Sequence, residues 1–223
     1  CGRRPRGGAA GRAYDRPVPA ERLPCPPPPP DRAPAAAPLA DALARLLAGR
    51  AAAPSPVPGR RAAVLIVLYD RAGEAHLLLT KRTDTVPSHP GQVSLPGGVA
   101  EAGDAGLRDT ALRETHEEVG IPPEALRVVG ELDEVPTIAS GFVIRPFVAL
   151  LGAPLVPIPS DAEVARVLEV PVAALLRADA GLPERPTITT LRYPLLGEDV
   201  WGATARILRI FSRVARCALA GAR

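Results

Sequence analysis

The sequence has little of several residue types, and each scarcity excludes a class of protein. Its 223 residues include three cysteines, which cannot build a disulfide framework, so a reduced, intracellular setting is favoured. Methionine does not occur, so we expect the chain to be processed or a fragment without its initiator. No apolar run approaches the roughly 18–20 residues of a membrane span, and no Gly-X-Y period indicates a collagen. We therefore expect no membrane partner.

The basic charge is almost entirely arginine and is unevenly distributed. Lysine occurs once, at Lys81, so 26 of the 27 basic residues are arginine. Residues 1–60 hold ten arginines and four acidic residues, whereas residues 61–223 hold 17 basic and 20 acidic residues. Aromatic residues are only 3% of the chain and do not interleave with the N-terminal arginines. The composition therefore does not indicate a nucleic-acid partner.

Proline divides the chain into a tail and a folded part. Half of the 28 prolines lie within the first 58 residues, including the run at 26–30. Such a composition cannot build a core, so residues 1–36 are predicted to be a disordered tail. Residues 37–60 are predicted to hold a short helix and a linker, and residues 61–220 a single domain.

Apolar periodicity predicts strands alternating with helices. The predicted helices cover residues 38–50, 105–119, 172–177 and 202–219. The predicted strands cover residues 62–69, 76–82, 92–95, 126–132, 142–151, 164–170 and 187–193. This mixture indicates an α/β fold with one sheet between helices.

The strongest indication of function is the acidic helix that follows Gly98. Glu114, Glu117 and Glu118 stand three and four residues apart, so their carboxylates share one face. Three like charges repel one another, and Mg²⁺ or Mn²⁺ would neutralise them, since hard cations prefer carboxylate oxygens. Arg113 precedes Glu117 by four residues and can pair with it. The alternative is an ordinary solvated acidic helix.

The segment 113–121 resembles the second half of the Nudix box, which reads Arg-Glu, aliphatic, any, Glu-Glu, any, Gly, aliphatic. Thr115 takes the place of the first aliphatic residue. The first acid of the box has two candidates, Asp104 and Glu101. Asp104 is the sixth residue after Gly98, but eight residues rather than seven separate it from Arg113.

The segment before the box is similar to a further signature, that of the coenzyme A diphosphatase branch of the Nudix hydrolases. Residues 78–82 read Leu-Leu-Thr-Lys-Arg, and residues 89–98 read His-Pro-Gly-Gln-Val-Ser-Leu-Pro-Gly-Gly, with Leu95 where phenylalanine is usual. The resemblance implies a Nudix-like α/β/α sandwich with a mixed β-sheet between helices. It also implies metal-dependent hydrolysis of coenzyme A to 3′,5′-ADP and 4′-phosphopantetheine. Hydrolysis of NADH, ADP-ribose or damaged nucleotides, or ligand binding without catalysis, is left open.

The resemblance further implies a role for each candidate residue. Those expected to bind the metal, Mg²⁺ or Mn²⁺, are Glu114, Glu117, Glu118 and Gly98. Those expected to act in catalysis are Glu117, Glu118, Arg113 and, as general base, Glu163. Those expected to bind the small-molecule substrate, mainly through its phosphates, are Lys81, Arg82 and His89. A cytoplasmic location is expected, with an organelle left open, and the oligomeric state is not readable from the sequence.

Overall fold

The computed structural model describes residues 34–86, 89–137, 140–154, 156–183, 186–187 and 190–221. The predicted disordered tail, residues 1–36, lies outside these ranges except for its last three residues. Within the described ranges, no helix combines the length and the apolar character that crossing a membrane requires.

The described chain forms helices on both faces of a sheet. The helices are α1 (Ala36–Leu47), α2 (Leu107–Val119), α3 (Val172–Ala180) and α4 (Gly202–Gly221), with a 3-10 turn at Pro123–Ala125. The strands of the main sheet are β1 (Arg60–Arg71), β2 (Glu74–Arg82), β3 (Val93–Ser94), β4 (Gly97–Val99), β5 (Leu126–Glu131), β6 (Val135–Pro136), β7 (Phe142–Leu151) and β8 (Val164–Pro171). A separate hairpin consists of β9 (Tyr193–Leu195) and β10 (Glu198–Val200).

The main sheet is mixed. Its central order is β3-β2-β1-β7-β5, with β8 beside β2, β4 beside β1 and β6 beside β7. β1 runs parallel to β7 and antiparallel to β2. Side chains of β1 alternate between two cores: Leu65 and Val67 pack with α2, whereas Ile66 and Leu68 pack with α1, α3 and α4. The α/β/α sandwich implied by the sequence resemblance is confirmed.

Helix α1 is part of the domain core. Leu39 and Leu43 are fully buried in the same cluster as Phe211 of α4. The backbone N–H of Ala36 donates to Asp70 Oδ1 at 2.7 Å, which ties the start of α1 to β1. The core therefore extends N-terminal to residue 61, where the sequence predicts that the domain begins.

Replacing Leu43 by alanine tests whether α1 is part of the domain core. We expect Leu43→Ala to lower the free energy of unfolding by about 2–5 kcal/mol, because it removes a buried side chain and leaves a cavity. Chemical denaturation measures the change, and Arg45→Ala, on the exposed side of α1, is the matched control. Equal, small effects of both substitutions would show that α1 does not stabilise the domain.

The strand predicted over residues 187–193 is wrong for the part that the structure describes, except Tyr193 at its end. Thr187 and Thr190 close a turn: each backbone N–H donates to the hydroxyl of the other, at 2.9 and 3.3 Å. These local hydrogen bonds compete with strand pairing despite the β-branched side chains. The hairpin β9–β10 follows, and Leu196 and Gly197 at its turn adopt positive φ angles of 52° and 79°.

Candidate active site

Strand β4 brings bare backbone against the acidic helix. Gly97 has φ 150°, and a Cβ there would lie 2.3 Å from the carbonyl oxygen of Ala63 on β1. A Cβ at Gly98 would lie 2.3 Å from Glu114 Oε1. Gly97 therefore permits the pairing of β4 with β1, and Gly98 permits the Glu114 carboxylate to approach the strand.

Replacing Gly98 by alanine tests whether the close approach of the Glu114 carboxylate to β4 matters for catalysis. We expect Gly98→Ala to lower kcat by about 10–100-fold, since small displacements of catalytic groups have effects of this order. The melting temperature should change little, because the clash is with the flexible end of Glu114. Gly103→Ala is the matched control, since a Cβ there meets nothing within 4 Å. A kcat unchanged by Gly98→Ala would contradict a role for the Glu114 carboxylate in this position.

Arg113 organises the carboxylates of the site. Its Nε and Nη2 donate to the two oxygens of Asp104 at 3.0 and 3.2 Å, and Nη2 also donates to the carbonyl of Val99 at 3.2 Å. Its Nη1 donates to Glu114 Oε1 and Glu117 Oε2, both at 3.0 Å. The pairing with Glu117 that the four-residue spacing predicts is confirmed. One guanidinium thus links the loop to two consecutive turns of α2.

The loop acid that contacts Arg113 is Asp104. Its side chain is 7% exposed and also accepts hydrogen bonds from the Thr110 hydroxyl at 2.7 Å and the Glu101 N–H at 2.9 Å. Glu101 is 68% exposed, and its carboxylate comes no closer to Arg113 than 3.9 Å. The hydrogen bonds from Arg113 hold the pKa of Asp104 well below its usual range. Between the two candidates, the geometry favours Asp104 as the partner of Arg113.

Glu118 is the most buried carboxylate of the acidic helix. It is 4% exposed, and its Oε2 has no hydrogen-bond partner among the described residues. Burial raises the pKa of Glu118 to about 8, and the charges of Glu114 and Glu163 add to that effect against the opposing Arg82. Burial likewise raises the pKa of Glu114, although Arg113 opposes the shift. Both carboxylates therefore lie where a further positive charge would stabilise their ionised forms.

Glu163 lies beside Glu118 although the two are far apart in sequence. Arg82 Nη1 is 3.8 Å from Glu118 Oε1 and 3.8 Å from Glu163 Oε2. Thr83 holds the loop of Glu163 against the end of β2, since its N–H donates to the Glu163 carbonyl at 2.9 Å and its hydroxyl to the Ala162 carbonyl at 3.1 Å. Glu163 is 51% exposed. This geometry presents an accessible carboxylate next to a buried one.

The structure does not bring Lys81 to these carboxylates. Successive strand residues point to opposite faces, so Arg82 faces α2 and Lys81 faces the hairpin. Lys81 Nζ donates to both carboxylate oxygens of Glu198 on β10, at 3.0 and 3.1 Å. Lys81 and Arg82, which are both expected to bind substrate phosphates, therefore have different partners on opposite faces of the sheet. His89 is exposed in a turn with φ 54°.

Sequence reasoning missed Glu198 because it missed the hairpin. The signal was present: Leu196 and Gly197 separate two short segments that can pair, which is a hairpin pattern with a two-residue turn. The threonine-rich segment before it has the stronger β-propensity, so the sequence predicts the strand there instead.

The carboxylates of the site offer oxygen donors of the kind that a hard divalent cation takes. Among the described residues, no three His, Cys, Asp or Glu side chains meet as a group that could hold a metal ion. The carboxylates are paired with arginines instead: Arg113 contacts Glu114 and Glu117, and Arg82 lies near Glu118. The buried, unpartnered Oε2 of Glu118 nevertheless fits a cation that takes carboxylate oxygens. Glu117, 57% exposed, would have to rotate to join it.

The fold and the site define an α/β sandwich with an acidic helix facing a glycine-rich strand. A family model of the NUDIX domain matches residues 59–191. The chain is 40% identical over 162 residues to the uncharacterized Nudix hydrolase NudL of Enterobacter sp. (strain 638), a match that covers 67% of this chain and 80% of that protein. NudL of Cronobacter sakazakii is also 40% identical, over 159 residues, with the same shares covered. Among solved structures, the Nudix hydrolase RenU of M. smegmatis is 25% identical, with a TM-score of 0.45, and the match covers 60% of this chain and 81% of RenU.

The chain therefore belongs to the Nudix family. It is a Nudix hydrolase, like the NudL relatives that it matches.

Proposed function

We propose that this Nudix hydrolase cleaves the diphosphate of coenzyme A or its derivatives, with Mg²⁺ or Mn²⁺, to 3′,5′-ADP and 4′-phosphopantetheine. The observation that carries the proposal is the position of Arg82. This residue belongs to the segment that resembles the coenzyme A diphosphatase signature, and it lies against Glu118 and Glu163. The signature segment and the acidic helix therefore build one site.

Arg82 is suited to a phosphate oxygen. Its Nε is buried and has no hydrogen-bond partner within the described part of the chain. A buried donor without a partner is costly, and a phosphate oxygen would satisfy it with a charge-assisted hydrogen bond. Arg82 would thereby place the diphosphate next to the carboxylates, where positioning supplies much of the rate enhancement.

Glu118 and Glu114 are the residues that would hold the cation, joined by Glu117 after rotation. When bound, the ion would neutralise the diphosphate charge and lower the pKa of a coordinated water. Arg113 holds Glu114 in orientation through its bond to Asp104. Hydrolysis adds the water oxygen to one phosphorus and breaks its bond to the bridging oxygen, which leaves with the other phosphate. Glu163 would accept the proton of the water.

Replacing Glu163 tests the assignment of the base. We expect Glu163→Gln to lower kcat by about 10²-fold, the lower range for loss of a general base. Asp161→Asn, an exposed carboxylate in the same loop, is the matched control and should retain turnover within about twofold. A kcat of Glu163→Gln within about threefold of the unmodified enzyme would place the base on another group.

A substrate panel tests the proposed substrate. Coenzyme A, dephospho-coenzyme A, ADP-ribose and NADH are compared at fixed Mg²⁺ and at fixed Mn²⁺, and the phosphomonoester products are identified by mass. We expect coenzyme A to have the highest kcat/KM and to yield 3′,5′-ADP. Equal kcat/KM for all four, or a preference for NADH or ADP-ribose, would overturn the substrate and leave the family assignment in place. Binding without turnover at saturating metal would indicate a ligand-binding domain.

A further inference from the structure

The segment 156–160, which reads Val-Pro-Ile-Pro-Ser, lies against the C-terminal end of α2. The N–H of Ile158 donates to the carbonyl of Val119, and the N–H of Ser160 donates to the carbonyl of Glu118, both at 2.9 Å. The last carbonyls of a helix have no partner within the helix, so these two bonds satisfy them. We name this segment the proline strap. It is bonded to the same turn of α2 that carries Glu118, a proposed ligand of the cation.

Gly120 leaves room for the proline strap. It ends α2 with a φ of 71°, and a Cβ there would lie 2.8 Å from Ile158 Cβ and 3.2 Å from the Ile158 carbonyl oxygen. A side chain at this position would therefore push the strap away from the helix. The bare backbone of Gly120 permits both the turn that ends α2 and the close approach of the strap.

The alternation of proline in the strap matches its hydrogen bonds. Ile158 and Ser160 donate to α2, whereas Pro157 and Pro159 have no N–H that would be left unpaired. Proline also fixes its own φ and restricts the residue before it to extended conformations, so the backbone of the strap is stiff. The side chains of Val156 and Ile158 are 74% and 70% exposed. Backbone hydrogen bonds and proline, rather than side-chain burial, therefore hold the strap in place.

Ser160 joins the proline strap to Glu163. Its carbonyl accepts the N–H groups of Glu163 and Val164 at 3.0 and 2.8 Å, and Val164 begins β8. On the other side, the N–H of Thr83 donates to the Glu163 carbonyl at 2.9 Å. The Glu163 side chain is 51% exposed, so packing around it does not fix its position. Backbone contacts do so, and one chain of them runs through Ser160 to the carbonyl of Glu118.

We propose that the proline strap positions Glu163 relative to the turn of α2 that carries Glu118. Pro157 and Pro159 are positioning residues: they limit how far Ser160, and with it Glu163, can move away from the helix. The inference rests on the proposed function, in which Glu163 accepts the proton of the attacking water. A displacement of a catalytic group by about 1 Å can lower a rate by about 10²-fold, so a stiff connection between these two carboxylates favours turnover.

Replacing both prolines by alanine tests the proposal in the full chain, with the preferred substrate of the panel. We expect Pro157→Ala combined with Pro159→Ala to lower kcat about 5–20-fold, because a looser strap lets Glu163 leave its position. KM should stay within about twofold, and the melting temperature should change little. Pro154→Ala, at an exposed proline earlier in the same loop, is the matched control and should keep kcat within about twofold.

A double-mutant cycle with Glu163→Gln separates positioning from a merely structural role. In the Glu163→Gln background, the proline replacements should change kcat by less than about twofold, because the group that they position is no longer a base. Effects of the two changes that multiply would overturn the inference. So would a kcat of the proline variant within about twofold of that of the unmodified enzyme. If the combined proline variant does not fold, Pro159→Ala alone is carried through the same cycle.

Amide hydrogen exchange, followed by NMR, gives a readout besides activity. The amides of Ser160 and Glu163 should exchange faster in the proline variant, whereas those of β1 should not change. Unchanged exchange at Ser160 and Glu163 would overturn the strap as the restraint. Failure of the proposed function is distinguishable. A near-normal kcat of Glu163→Gln removes the base and the positioning role with it, whereas the expected cycle on a substrate other than coenzyme A keeps the strap and removes only the substrate.

Discussion

Replacing Glu118 by glutamine is expected to abolish turnover while making the chain more stable in the absence of divalent ions. Loss of the buried carboxylate removes a proposed metal ligand, so kcat should fall on the order of 10²–10⁴-fold at saturating Mg²⁺. Steady-state kinetics on the preferred substrate of the panel measures this. A kcat within about threefold of the unmodified enzyme at saturating metal would contradict the assignment of Glu118 as a ligand.

The difference in stability between Glu118→Gln and the unmodified chain depends on pH in a defined direction. The folded-state pKa of Glu118, about 8, lies above the ordinary value of 4.5. Because the pKa is raised in the folded state, protonated Glu118 stabilises the fold relative to ionised Glu118, and this contribution to the free energy of unfolding is lost as the pH rises from about 4.5 to 8. Glutamine cannot ionise, so the variant should gain in melting temperature over the unmodified chain across this window when a chelator is present. Glu117→Gln, at an exposed position of the same helix, is the control and should show no such gain. A Glu118→Gln variant less stable than the unmodified chain at pH 8 would indicate a structural role.

Replacing Arg113 by lysine is expected to lower kcat by about 10²–10³-fold although the charge is kept. The planar guanidinium bonds both oxygens of Asp104 and still reaches Glu114 and Glu117, whereas an ammonium cannot hold all three in that geometry. The Glu114 carboxylate would lose its fixed orientation, and misplaced catalytic groups lower rates by such factors. Arg108→Lys, an exposed position on α2, is the matched control for kcat.

The same variant has a predicted pH signature. Arg113 lowers the pKa of Asp104. The pair therefore stabilises the folded state when the pH is above the ordinary pKa of an aspartate, and this stabilisation is lost as the pH falls through the folded-state pKa of Asp104. The melting temperature of Arg113→Lys should therefore fall below that of the unmodified chain at neutral pH, and the difference should shrink in acid. A turnover close to normal, with an unchanged difference at both pH values, would contradict the organising role of Arg113.

The acidic helix could be predicted from the sequence because its chemistry is local. The spacing of Glu114, Glu117 and Glu118 places them on one helical face, and Arg113 reaches Glu117 across one turn. The boundaries of β7 were also predicted to the residue. The sequence could not decide whether Asp104 or Glu101 is the loop acid that pairs with Arg113, because this depends on which loop residue folds back over Arg113. The burial of Glu118, and with it the raised pKa, depends on what packs against α2.

By itself, the sequence determined the α/β class, the acidic helix and the paired glycines before it, since periodicity and spacing act within single elements. Only the tertiary structure decided that α1 belongs to the core, because Leu39 and Leu43 need partners on α4 to be buried. It also decided that Lys81 and Arg82 have different partners. Adjacent strand residues face opposite sides of the sheet, and what lies on each side, Glu198 of the hairpin or Glu118 of α2, is supplied by distant parts of the chain.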